Sequence, residues 1–177
     1  MKRLTFVVLA LVAVFTISCK KEKNMPKNDE YYLSAVKDNF AWNSPSFNGQ
    51  SAASNMLAGA PFRNSYYLIT PDNEILVVAN VGEEHLSVYF TSVSPNSYQL
   101  NKSKTIFNIT IGQDAVSANY VLDESKTNTA NITNVNVAKK AINGNFVLNF
   151  KKANGFESYP ATIAFTNGKF YLTTSSN

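Results

Sequence analysis

The segment Ile142-Asn143-Gly144-Asn145-Phe146-Val147-Leu148-Asn149-Phe150, INGNFVLNF, sets Ile142, Phe146, Leu148 and Phe150 on one parity and Asn145, Val147 and Asn149 on the other. A period of two gives a strand with one face toward a core and one toward water, the pattern of an antiparallel sheet. The same alternation runs through Leu86, Val88 and Phe90 in HLSVYFTSV, and through Phe107, Ile109 and Ile111 in TIFNITI. In ATIAFTNGKFYLTT the apolar set is Ile163 and Phe165, then Phe170 and Leu172.

Turn chemistry agrees with strands. Asn154-Gly155 and Asn167-Gly168 tolerate the positive φ of tight hairpin turns. They divide the C-terminal third into an expected three-stranded meander at roughly 142–152, 158–166 and 169–174. Asn143-Gly144 fits a bulge or a turn at a strand start. Further strands are expected in YYLSAV, SYYLIT, EILVVAN, SYQL and AVSANYVL, with Pro71-Asp72-Asn73 and Val81-Gly82-Glu83-Glu84 as connections. GQSAASNMLAGA reads as one short helix or a loop, and DESKTNTANITN as a long loop feeding a strand at 130–137. The fold class expected is all-β: one antiparallel meander domain, either a sandwich or a rolled barrel.

Outward from this domain, the N-terminus is of another kind. Met1-Lys2-Arg3 precedes an uncharged, mostly apolar run from Leu4 to Ser18. As a helix that run spans roughly 22 Å, short of a bilayer core of roughly 30 Å. It reads as a secretory signal peptide over 1–18. Residues 19–29 are charged and poor in apolar groups, a flexible tether, and residues 30–177 form the domain.

Thr16-Ile17-Ser18-Cys19 resembles the processing motif of bacterial lipoproteins, with Thr16 where Leu is usual. The resemblance implies cleavage before Cys19 and lipidation of that cysteine. Acyl chains contribute about 0.8 kcal/mol per buried CH₂, enough for stable anchoring with two or more chains. The familiar sorting rule for such proteins, with Lys20 rather than Asp after Cys19, implies the outer membrane. KKEKN holds no acidic export cluster, which favours a periplasm-facing position.

A second resemblance spans much of the domain. Ala35, Val36, Asp38, Ala41 and Trp42, then Ile142-Asn143-Gly144-Asn145-Phe146 and Thr166-Asn167-Gly168-Lys169-Phe170, look like an uncharacterised family of Bacteroidota lipoproteins. Those domains open F-x-A-x-x-x-G-x-x-W and close I-x-G-x-F-x-F, a turn, and I-T-x-G-x-F. Asn39 stands where the family has Gly, and Phe165 where it has Ile. The resemblance implies an all-β envelope domain and supplies no catalytic residues.

Charge narrows the partners. Of the net +4, Lys2 and Arg3 carry two; Lys20, Lys21, Lys23 and Lys27 against Glu22 and Asp29 carry the rest. From Glu30 onward acids and bases balance, so no basic face for nucleic acid is expected. The tether lysines fit anionic head groups or simply solvate the chain.

The single histidine, His85, excludes Ser–His–Asp and multi-histidine metal chemistry from this chain. Glu83-Glu84-His85 offers two carboxylates and an imidazole, but neighbours along a strand point to opposite faces, so a solvated hairpin tip is expected. Asp72/Glu74 and Asp123/Glu124 are candidate carboxylate pairs for a hydrolase, though both lie in turn-like sequence. No cofactor, metal site or enzymatic activity is expected. Trp42, Tyr66 and Tyr67 are the candidate ligand-facing aromatics, with core packing the favoured reading for Trp42. The expected function is a membrane-anchored, non-catalytic binding or accessory domain whose partner is an envelope protein or a glycan. A small-ligand carrier with a barrel cavity is the alternative, and a carboxylate-dependent envelope hydrolase stands behind both.

Overall fold

A computed structural model describes residues 32–45, 63–112 and 114–174. The expected signal peptide over 1–18 and expected tether with Cys19, and GQSAASNMLAGA, lie outside the described residues. The eleven described elements are all strands: β1 Tyr32–Lys37, β2 Phe40–Pro45, β3 Arg63–Ile69, β4 Ile75–Val81, β5 Glu84–Ser94, β6 Ser97–Leu100, β7 Ile106–Ile111, β8 Ala115–Leu122, β9 Thr129–Asn136, β10 Ala141–Gly155 and β11 Thr162–Thr173.

They form one antiparallel sheet in the order β2-β1-β11-β10-β8-β7-β5-β4-β3. Two long strands fork it. β5 pairs with β4 on one side; on the other it takes β7 over its first half and β6 over its second. β10 pairs with β11 on one side and divides its other side between β9 and β8. The protein is therefore all-β, with a single sheet that does not close into a barrel.

The sheet curls so that its two edge strands meet without a ladder between them. The Ser65 hydroxyl donates to the Ser44 carbonyl at 3.0 Å, and the Ser44 hydroxyl donates to the Asn80 carbonyl at 3.1 Å. One parallel bridge, Tyr67 to Thr174, adds to this seam. Hydroxyls at buried positions thus bridge β2 to β3 and β4.

Inside the curl the alternating apolar residues fill the space. Phe165 is the hub: its ring lies 5.1 Å from Trp42, 5.3 Å from Phe107, 6.0 Å from Phe150 and 6.5 Å from Phe146. The first two contacts and the Phe150 contact are edge-to-face, the arrangement ring quadrupoles favour. Leu33, Leu86, Leu148, Ile163 and Leu172 close around these rings.

Turn residues act where positive φ is demanded. Asp38 and Asn39 both have positive φ, the requirement of a two-residue I′ hairpin between β1 and β2. Asn39 meets the demand that Gly would, which explains its departure from the pattern noted above. The sequence reading had no strand at β2, because FAWNSP offers only Phe40 and Trp42 as an alternating pair.

The C-terminal meander is corrected: two strands replace three. Asn167-Gly168 does not turn the chain but sits inside β11, where the register shifts between Phe146 and Leu148 of β10. Asn167 has φ 53°, so the pair supplies the left-handed residue of a β-bulge rather than of a hairpin. Asn154-Gly155 lies at the end of β10, and the true connection runs over 156–161.

The two N-G-x-F segments explain why the chain continues straight. Gly144 pairs with Phe170, and Phe146 pairs with Gly168. A Cβ at Gly168 would sit 2.5 Å from the Phe146 ring, and one at Gly144 would overlap the Phe170 ring and the Asn131 carbonyl. Each phenylalanine lies across the other segment's glycine. This reciprocal cover replaces the missing glycine side chains with ring contacts.

Candidate functional site

On the face opposite the core, register brings one residue type into line. Asn64 pairs with Asn80, Asn80 with His85, His85 with Asn108, and Asn108 with Asn119. The row crosses β3, β4, β5, β7 and β8. The Asn80 amide donates to Asn64 Oδ1 at 2.5 Å, and the Asn119 amide donates to Asn108 Oδ1 at 2.5 Å. His85 joins it through Nδ1, 2.7 Å from Asn80 Oδ1, and through Nε2, 3.1 Å from Thr110 Oγ1. The Thr110 hydroxyl in turn donates to Glu83 Oε2 at 2.5 Å.

With Asn80 Oδ1 a pure acceptor, His85 Nδ1 carries a proton toward it. Burial holds the His85 imidazole below its usual pKa, while Glu83 and Glu84 pull the other way. The ring thus links the Asn80 amide to the Thr110 hydroxyl along the row. Half-buried Tyr66 and Tyr89 lie on the same face, and burial raises the Tyr66 phenol.

Glu83-Glu84-His85 divides as strand geometry requires. Glu84 points inward and accepts from the Lys37 ammonium and from Trp42 Nε1, the latter at 2.6 Å. Lys37 Nζ also lies 5.7 Å above the Phe107 ring. This ion pair ties β1 and β2 to the start of β5 across the curl.

Of the aromatic candidates, Trp42 and Tyr67 are core residues, each 4% exposed, and only Tyr66 remains half-buried on the outer face. The Tyr67 phenol is raised by burial and by Tyr98. Trp42 takes the core role favoured for it, and Tyr67 is corrected from a ligand-facing to a packing role: rings on inward-parity positions of β2 and β3 supply area to the core.

Asp72 and Glu74 line a groove of about 340 Å³ with Thr70, Tyr89, Lys104 and Ile106. Glu74 accepts from Thr91 at 3.2 Å, from Asn101 at 3.0 Å and from the Lys104 ammonium at 2.6 Å. The Lys104 hydrogen bond leads in holding its pKa below the usual value, and Asn101 and Thr91 assist. A general acid requires the opposite shift. Glu74 instead staples the start of β4 to β5 and to the 101–105 loop. Asp123 accepts from the Ser125 hydroxyl at 2.7 Å and backbone at 3.1 Å, an Asx turn that lowers its pKa.

Among the described residues no three His, Cys, Asp or Glu side chains gather as a metal site. Nor is any described helix long and apolar enough to cross a membrane. The amide row escaped sequence reading because each strand contributes a single Asn, and only the register between strands lines them up. Asn is depleted in strands, so its recurrence at outward positions of four strands was the available signal. Comparison with protein-family models, with curated proteins and with solved structures finds no match. What can be stated of the class is its architecture, an all-β protein of one rolled antiparallel sheet.

Proposed function

We propose that the chain is an outer-membrane lipoprotein held through Cys19 and facing the periplasm, whose all-β domain is a non-catalytic binding or accessory module for an envelope protein or a glycan. The signal-like N-terminus and the processing motif support the anchor. The single observation that carries the binding role is the outer-face row of amides and imidazole across β3, β4, β5, β7 and β8, flanked by Tyr66 and Tyr89. Asparagine amides donate and accept at once, and a phenol adds ring area with little rotamer entropy to lose, so this face suits a polar, ring-stacking partner.

Two measurements test the reading. Globomycin treatment and Cys19→Ala are expected to block processing, and the alanine variant is expected to take up no acyl label. Retention of processed, membrane-bound Cys19→Ala protein overturns the anchor. For the binding role, envelope glycan fragments and cross-linked envelope proteins are compared on wild type and on Tyr66→Ala/Asn108→Ala. Binding unchanged by that pair of substitutions overturns the assignment of this face.

A further inference from the structure

Strand direction sorts the connections into two rims. β1 begins at Tyr32 opposite Tyr171, near the end of β11, so the chain enters the domain at the rim where β11 leaves it. That rim also carries the turns at 71–73, 95–96 and 137–140. The opposite rim carries the turns at 38–39 and 82–83, the 112–114 connection and the 156–161 loop.

The rims differ in charge. In the three turns of the entry rim, Lys139 and Lys140 stand against Asp72. Both lysines are exposed, as is Val137, 80% accessible, in the same turn. Asn136 Oδ1 accepts from the Lys139 backbone at 3.0 Å, and the Lys140 carbonyl accepts from Thr174 at 3.2 Å, so the turn is fastened on both sides. The far rim holds Asp38, Glu83, Asp114 and Glu157, and its Lys37 is paired with Glu84. Even with Lys152 and Arg63 placed there by register, acids outnumber bases on the far rim.

We propose that the entry rim docks on an anionic lipid surface, with Val137 entering the head-group layer and Lys139 and Lys140 meeting its phosphates. The inference rests on the anchored reading above. Residues 19–31 reach at most roughly 45 Å when extended, which keeps the entry rim close to any bilayer holding Cys19. An anionic surface attracts each nearby lysine by a factor of about five, and it repels the acidic far rim. Tether, basic turn and exposed valine act on the same end, so the domain stands with its acidic rim outward.

The test uses the full, lipidated chain in vesicles of phosphatidylethanolamine and phosphatidylglycerol. Cys19 is then acylated, so a single new thiol can carry an environment-sensitive fluorophore, at Ala138→Cys or, for the far rim, at Asp114→Cys. The expected result is a blue shift and quenching by nitroxide lipids at 138 and an aqueous spectrum at 114. Lys139→Glu/Lys140→Glu is expected to abolish the shift at 138 while the protein still floats with the vesicles. A floating protein whose 138 probe is aqueous, or whose 114 probe is the one quenched, overturns the docking alone. A shift at 138 that survives the double charge reversal also overturns it. A wild-type chain that does not float overturns the anchor and the docking together.

Discussion

The β4–β5 and β10–β11 hairpins are built alike and stabilised differently. Each contains one of the two long forked strands. In β4–β5 seven residue pairs, Ile75–Phe90 to Val81–Glu84, run without a break into a two-residue turn with Gly82 at φ 62°. Its surroundings are polar: Glu74 ties the hairpin to Asn101 and Lys104, Glu84 to Trp42, and His85 to Thr110. In β10–β11 the ladder breaks at a bulge, and glycines and rings hold it together. One hairpin is regular along its backbone and depends on ionisable side chains. The other has a broken ladder and depends on shape. The lesson is that regular pairing and tight packing are separate sources of stability.

That contrast can be broken most directly at its hub. Phe165→Ala is expected to cost about 3–5 kcal/mol, because it removes a ring shared by Trp42, Phe107, Phe146 and Phe150. Urea unfolding should show the fall in midpoint, and a loss under about 1 kcal/mol would mean that the interior is not packed as described.

Gly144→Ala is next, at about 2–4 kcal/mol, since the new methyl meets the Asn131 backbone and the Phe170 ring. Shortening Phe170 to Leu in the same chain should recover only part, because the carbonyl stays in place. Complete recovery would place the whole conflict in the ring.

Trp42→Phe tests the link between the two regions. It leaves Glu84 Oε2 without its indole donor and should cost about 1–3 kcal/mol, with a smaller loss in a Glu84→Gln background. Equal costs in both backgrounds would remove Glu84 from the account.

The smallest effect separates the hairpins by pH. Hydrogen bonding from Lys104 lowers the Glu74 pKa in the folded state, so the folded protein binds fewer protons there than the unfolded chain. Its contribution is complete above the ordinary carboxylate pKa and is lost as pH falls through the folded value. His85, also lowered, acts in the same direction: its contribution is present above the ordinary histidine pKa and lost as pH falls through its own folded value. Amide exchange followed from about pH 7 to about pH 4 should therefore loosen β4–β5 before β10–β11. The stability gap between wild type and Glu74→Gln should narrow over the acid end of that range. Simultaneous loosening of both hairpins would dissolve the contrast.

The regular hairpin was the legible one. EILVVAN and HLSVYFTSV alternate cleanly around a Gly-containing connection, and the structure places β4 and β5 there. The C-terminal region misled because positive φ at Asn serves a bulge as well as a turn. The choice was made by Phe146 and Phe170, which cover glycines on the opposite strand and so reward continued pairing. The candidate site was less legible still: Tyr67 proved to be core, and the amide row exists only through register.

By itself the sequence determined the all-β class, the inward parity of most strands, and the residues able to take positive φ. These follow from local sterics and from burial on alternate positions, which each segment carries within itself. The tertiary structure alone decided that the two edges of the sheet meet at a hydroxyl-bonded seam. It also decided that Asn64, Asn80, His85, Asn108 and Asn119 form one row, and that Glu84 reaches Lys37 and Trp42 across the curl. Those relations join residues far apart in the chain, and only the packing of every strand at once sets their distances.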